Sequence, residues 1–210
     1  EYEAAVAGGI PVIRILKEGL IGNKISKIYG ILNGTSNYIL SNMEKIKMDF
    51  ETVLKKAKEL GYAESNPKSD LNGEDVKSKI QILSSLAFNC FISKSKINLE
   101  GINNVDQIDI KNAKILGYKI KHLGVAELEN GKLIQGVYPC LVKKESHISN
   151  VNDVSNAIII EGKPIGKFVM QGEGAGSGPT VSALVSDICL ILRGNINFPF
   201  SASQANRKKI

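Results

Sequence analysis

Asp75 and Lys79 stand four residues apart in a stretch of helical spacing, so their side chains share one face. Glu64 and Asp70 come from the loop just upstream, Gly61-Tyr62-Ala63-Glu64-Ser65-Asn66-Pro67-Lys68-Ser69-Asp70, and arrive at the same helix start. Three carboxylates and an ammonium gathered at a helix N-terminus can bind a zwitterion: the acids take its amine, while the lysine and free N–H groups take an oxygen. Spacing alone favours a plainer alternative, in which Asp75 is a helix-cap residue and Lys79 its solvated partner.

Three other stretches have compositions that core packing does not account for. Gly172-Glu173-Gly174-Ala175-Gly176-Ser177-Gly178-Pro179-Thr180 sets glycines at alternate positions before a helix, which lets backbone approach a ligand. It is not a GxGxxG turn after a first strand, and a tight strand-to-helix connection explains it equally. Glu3-Ala4-Ala5-Val6-Ala7-Gly8-Gly9-Ile10 offers one carboxylate and carbonyls in a bend of small residues, an oxygen-only set suited to a hard cation. A close-packed turn is the alternative, and the residues alone favour it. Asn33-Gly34-Thr35-Ser36-Asn37-Tyr38 is a polar cluster between a strand and a helix, and a helix cap at Thr35 or Ser36 suffices for it.

The elements that must hold these residues are mixed. Apolar spacing predicts helices over 10–20, 38–47, 50–60, 74–88, 106–116 and 181–192. Asn72, with Asp75 three residues on, resembles a capping box for the fourth of these. Residues 62–73 have no period and read as a loop. β-formers predict strands over 25–32, 119–127, 132–142, 157–161 and 166–170, with hairpins through Glu129-Asn130-Gly131 and Gly162-Lys163-Pro164. Helices followed by strands imply an α+β layering, not a doubly wound unit.

The composition bounds the function. The chain has 210 residues, 43% hydrophobic and 23% charged, which supports a sizeable core, and no apolar run is long enough for a membrane span. The net charge of +6 is scattered and aromatics make up 6%, so neither a nucleic-acid stripe nor a membrane surface is expected. Cys90, Cys140 and Cys189 lie far apart in apolar contexts without a CxxC, which fits a reducing cytoplasm and argues against disulfides and zinc. The same contexts argue against a semialdehyde dehydrogenase, which needs a cysteine nucleophile in a polar loop. His122 and His147 cannot form a metal cluster by themselves. The first residue is Glu and no signal segment follows, so the chain is expected to begin partway through a longer gene product.

Taken in order, the four stretches resemble homoserine dehydrogenase. The resemblance rests on Tyr2 to Pro11, on Gly30 to Ile39, on Gly172 to Thr180, and above all on the string from Gly61 through Pro67, Asp70, Gly73 and Asp75 to Lys79. It runs from residue 2 to about 192. It implies an α+β fold with a mixed or antiparallel sheet and helices on one face. It also implies NAD(P)-dependent interconversion of L-aspartate 4-semialdehyde and L-homoserine, in threonine, methionine and isoleucine biosynthesis. By position, Lys79 resembles the proton donor, Asp75 the group that orients it or a water beside it, and Glu64 the partner of the substrate ammonium, with Asp70 and Tyr62 nearby and Thr35 a backbone contact. Gly176, flanked by Gly174, resembles the glycine that approaches NADP or NAD. Glu3, with the carbonyls of Val6, Gly8 and Ile10, resembles a monovalent cation site, usually sodium.

Asn66 stands where many relatives carry Asp, so one loop charge is missing. A Rossmann unit with a second lysine, expected upstream in the family, is not among these residues. The expected division is therefore 1–20 as the end of a nucleotide-binding part with the cation loop, 21–176 as a catalytic and dimerisation domain, and 177–210 as a closing helix that packs on the nucleotide-binding part. A homodimer is expected, and a fragment inactive alone. The strand-rich stretch from Lys119 to Met170 supports a competing reading, a dimerising or amino-acid-binding module without catalysis.

Overall fold

Asn130 and Gly131, with φ of 49° and 78°, turn β3 (Tyr118–Glu129) back into β4 (Lys132–Lys143), the hairpin that the sequence predicts. The computed structural model describes residues 1–90 and 97–194. β1 (Lys24–Ile31) lies at the centre of a six-stranded sheet, paired antiparallel with β3 on one side and β5 (Ser155–Lys163) on the other. β6 (Gly166–Glu173) pairs antiparallel with β5. A short β2 (Asn98–Leu99), too brief for any pattern to reveal, runs parallel to β4 and makes the sheet mixed. The strand order is β2-β4-β3-β1-β5-β6.

One face of the sheet is covered by helices. α1 (Val12–Arg14) continues into a π-helical turn (Ile15–Gly19), and α5 (Glu74–Ala87) lies alongside. Val76, Ile80 and Leu83 of α5 are buried against Ile28, Ala126, Val137, Ile158 and Ile160 of the sheet, together with Val12, Ile13 and Leu16. A second core joins α2 (Gly34–Ile46), α3 (Phe50–Glu59) and α6 (Gln107–Ile115) through Ile39, Met43, Val53, Ala57 and Ile110. Asp106 and Asp109 form a reciprocal capping box at the start of α6. The other sheet face carries Leu123, Val142 and Ile159 under Ile148 and Val151, then opens onto partly buried Tyr29, Val125 and Val169.

Four local expectations are corrected. α2 begins at Gly34, not Tyr38, because the Asn33 side chain accepts the Ser36 N–H at 2.8 Å and caps the helix there. Within 62–73 lies a single helical turn, α4 (Lys68–Leu71), too short to show a period. The Asn72/Asp75 capping box does not form: Gly73 takes the N-cap place of α5 at φ 86°, and Asn72 accepts only the Glu74 N–H. α7 (Ser177–Leu192) starts four residues before Val181, and its Cys189 is exposed, in contrast to its apolar sequence context.

Gly30 marks how closely β1 approaches β5: a Cβ there would lie 2.2 Å from the Ala157 carbonyl oxygen. The three nearest atoms are all β5 backbone, which cannot swing aside as a side chain could. Gly30→Ala is expected to destabilise the fold by about 2–3 kcal/mol, the upper range for overpacking a tight core. Chemical denaturation, with its midpoint shifted and its slope unchanged, checks this.

Candidate functional site

Gly73 sets the direction of α5 and thereby of its first turn. Its left-handed backbone lets Lys68–Leu71 and α5 meet at a sharp corner, so Asp70 from the short helix faces Asp75 from the long one. Lys79, one turn further along α5, places its ammonium 2.8 Å from Asp75 Oδ2 and 3.0 Å from the Leu32 carbonyl at the end of β1. Two of the three ammonium protons are thus directed, and the third remains for a ligand. Lys79 and Asp75 are partly buried, with 21% and 28% of their side chains exposed, so the pair is neither a solvated ornament nor sealed in the core. Asp75 therefore serves Lys79 and not the helix end.

Asn33 draws the two aspartates together. Its Nδ2 donates to Asp70 Oδ1 at 2.8 Å and to Asp75 Oδ2 at 2.9 Å. Ser36 Oγ donates to the Asp70 carbonyl at 2.8 Å and ties the short helix to the start of α2. Thr35 Oγ1 donates to the Tyr62 carbonyl at 2.7 Å, and the Tyr62 ring packs on Tyr38 with centroids 5.1 Å apart. The loop is thus pinned beside the same cluster. Glu64 lies two residues past that pin, exposed and without a hydrogen bond or ion pair among the described residues. Asn33 was the residue that sequence reasoning passed over. Its place in a capping cluster was visible, but its long-range partners were not.

The glycine run lies at the same end of the sheet. Ile31 pairs with Ala157, and Asn156 with Gly172, so the end of β1, the start of β5 and the end of β6 converge. Gly174 packs directly on Asn156, where a Cβ would meet the amide at 2.1 Å, and Gly8 packs on the Gly174 carbonyl. The Asn156 side chain is almost wholly buried, yet its Oδ1 has no hydrogen-bond partner. Gly176, at φ 110°, would set a Cβ in ordinary contact with the Pro179 ring at 3.7 Å, and it stands just before the first N–H groups of the 16-residue α7. An orphaned amide, a bare glycine run and a long helix start together fit a polar, partly anionic cofactor.

Glu3 does something the sequence did not suggest. Its two carboxylate oxygens accept the N–H groups of Ile13 and Arg14 at 2.8 and 2.9 Å, capping α1 from ten residues away. Its own N–H donates to Asp187 Oδ2 on α7 at 2.9 Å, and Arg14 Nη2 lies 3.8 Å from Asp187 Oδ1. Burial pushes the Glu3 carboxyl above its usual range, against the pull of those two N–H groups. Ile10 gives its carbonyl to the Val12 N–H, while Val6 and Gly8 are buried in the same bend. Each Glu3 oxygen keeps a second lone pair, so an oxygen-only set remains chemically possible. Among the described residues no three His, Cys, Asp or Glu side chains assemble as metal ligands.

Comparison with known proteins decides what this arrangement belongs to. The profile described as homoserine dehydrogenase matches residues 11–189. The chain belongs to the homoserine dehydrogenase family. It is 47% identical over 194 residues to the homoserine dehydrogenase of Neisseria gonorrhoeae, covering 92% of this chain and 44% of that protein. The Synechocystis homoserine dehydrogenase is 45% identical, over 90% of this chain and 45% of its own length. A solved homoserine dehydrogenase from Thiobacillus denitrificans superposes with a TM-score of 0.90 at 40% identity, over 95% of this chain and 48% of that one. A hyperthermophilic archaeal homoserine dehydrogenase mutant in complex with NADPH matches at 25% identity and a TM-score of 0.75. The chain spans a little under half the length of the curated homoserine dehydrogenases that it matches. The α+β fold with its mixed sheet, expected from the sequence, agrees with these relatives.

Proposed function

We propose that this chain is the substrate-binding and dimerising half of an NAD(P)-dependent homoserine dehydrogenase that interconverts L-homoserine and L-aspartate 4-semialdehyde, on the route to threonine, methionine and isoleucine. The observation that carries the reading is the Lys79 ammonium, held between Asp75 and the Leu32 carbonyl with one proton unassigned. A nicotinamide cofactor, when bound, supplies the hydride exchanged with the substrate carbon. In reduction, Lys79 stabilises the negative charge developing on the aldehyde oxygen and passes its proton there; in oxidation it accepts that proton. Asp75 keeps the lysine aimed. Glu64 receives the substrate ammonium, with Asp70 and the Tyr62 segment beside it, and Thr35 holds that segment in place.

Gly174 and Gly176 give NADP or NAD its backbone approach, a reading supported by the orphaned Asn156 amide and by the NADPH complex of the archaeal relative. Glu3, with the carbonyls of Val6, Gly8 and Ile10, is proposed to hold a monovalent cation, sodium being the expected ion. Residues 1–20 and 177–210 are proposed to join the nucleotide-binding part, with 21–176 as the catalytic and dimerisation domain; of the closing segment, 195–210 lies outside the described residues. Val181, Val185, Ile188 and Ile191 on α7 are more than half exposed, which supports a covering partner on that face. The open sheet face around Tyr29, Val125 and Val169, edged by the Lys27–Glu127 ion pair, supports a homodimer. No helix among the described residues is long and apolar enough to cross a membrane, and a cytoplasmic location is proposed.

The test is made on the full-length protein. Homoserine-dependent formation of reduced NAD or NADP supports the reading, and its absence with correctly folded protein overturns it. The module reading rests on the open sheet face alone and predicts homoserine binding by calorimetry with no turnover. A smaller change probes the loop: Thr35→Val keeps the shape but removes the bond to Tyr62. It is expected to raise KM for homoserine about 5- to 10-fold, the worth of one hydrogen bond, with kcat changed less.

A further inference from the structure

We infer that Asn33 is a positioning residue for the reaction, holding Asp70 and Asp75 as a pair of anions on one amide; this rests on the proposed role of Lys79. The two carboxylate oxygens are bound to one nitrogen at 2.8 and 2.9 Å, so they lie less than about 6 Å apart. Like charges at that separation repel, and without a shared donor the elements carrying them are pushed apart. A side-chain amide nitrogen is the neutral group with two protons to give, one to each acid. Its orientation is fixed from behind: Asn33 Oδ1 accepts the Ser36 N–H at 2.8 Å, so the amide cannot turn over without losing the cap of α2. The side chain is 7% exposed, and little water is available to stand in for it.

The cap by itself does not call for asparagine. Asp and Ser cap helices about as well as Asn, because an acceptor oxygen is all the helix needs. What they lack at this place is the pair of donors. The choice of Asn33 is therefore explained by the two aspartates, which belong to α4 and α5, and not by the helix it begins. Through Asp75 the effect reaches Lys79, since Asp75 Oδ2 accepts from both Asn33 and Lys79. Through Asp70 it reaches the side from which the substrate ammonium is expected. One neutral residue thereby sets the spacing of both acids.

Asn33 bonds two titratable groups, Asp70 and Asp75, and Lys79 bonds the second of them. Asn33→Asp in the full-length enzyme is near-isosteric, retains the cap and puts an acceptor where the donors stood. Its kcat for homoserine is expected to fall about 100-fold at pH 8. The ratio of variant to wild-type kcat is expected to rise as the pH is lowered toward 6, because one proton shared among three carboxyls restores a hydrogen bond. Asn33→Ser retains the cap, offers one hydroxyl proton where the amide gave two, and adds no titratable group, so it should show a loss with a ratio independent of pH. Melting temperatures are measured beside both, and the kinetics are compared where each variant is folded. Wild-type kcat and pH profile in Asn33→Asp, or a loss whose ratio stays flat with pH, overturns the inference. Lys79→Ala, assayed in parallel, separates the two claims. If it is inactive while Asn33→Asp is unimpaired, the Asn33 role fails alone; if it is fully active, the reading of the site fails first. Should Asn33→Asp not fold, an unimpaired Asn33→Ser overturns the inference by itself.

Discussion

Replacing Lys79 by alanine in the full-length protein is expected to lower kcat for homoserine oxidation by about 10³-fold, within the range that positioned acid–base groups contribute. The ammonium is the group whose location between Asp75 and the Leu32 carbonyl leaves a proton to give. Its removal leaves the developing oxyanion without a donor and Asp75 with Asn33 as its remaining partner. KM for homoserine should change less than kcat, since the substrate ammonium is bound elsewhere. Stability should fall by no more than about 1 kcal/mol, because a partly exposed i,i+4 pair adds little to folding. That contrast separates a chemical role from a structural one. Lys79→Arg keeps the charge but not the ability to release a proton near neutral pH, so it should remain well below wild type at every pH tested. Steady-state kinetics and thermal melting on the same preparations check both variants. Activity within a few-fold of wild type in Lys79→Ala would remove the lysine from the mechanism.

The part of this site that could be read from the sequence is the part made by local geometry. Asp75 and Lys79 meet because a helix returns to the same face after four residues, and the apolar positions Val76, Ile80 and Leu83 say which face that is. The β3–β4 hairpin was legible because Asn130 and Gly131 accept positive φ. The remainder depends on contacts distant in the chain. That β1 would lie between β3 and β5 has no local signature, since its partners are about 100 and 130 residues away. Asn33 looked like one more polar residue near a helix start; its meaning lies in Asp70 and Asp75, some 40 residues downstream. The residues around Glu3 favour a close-packed turn, and the cation reading there comes from the family resemblance. The caps of Glu3 on Ile13 and Arg14 became visible only with the fold of α1 against it. Roles that need the substrate or cofactor in place, those of Glu64 and Gly176 among them, have their support in family resemblance, not in a contact within the chain.

A second large effect is expected far from the chemistry, at Lys121. This lysine on β3 is 1% exposed, and its ammonium lies among four acceptors: the Val151 carbonyl at 2.6 Å, Asn37 Oδ1 and Asn152 Oδ1 at 3.2 Å, and Ser41 Oγ at 3.3 Å. It joins the sheet to α2 and to the 147–155 connection. Asn37 completes the knot, donating to the carbonyls of Val151, Asp153 and Ser155. Lys121→Met preserves the stem volume and removes the donor, leaving buried oxygens without a partner. A loss of about 2–4 kcal/mol is expected, since stranding acceptors costs more than replacing a whole polar group by an apolar one. Burial, with the nearby Lys119 charge adding to it, pushes the Lys121 amine down from 10.5 to about 8. Between those two pH values the unfolded chain keeps a proton that the folded chain has released, so wild-type stability gains from rising pH. The variant has no such group. Denaturation curves of the two proteins, compared at pH 7 and pH 9.5, should show the wild-type advantage widening at the higher pH. A gap that narrows would mean that the four acceptors hold the ammonium more strongly than burial weakens it.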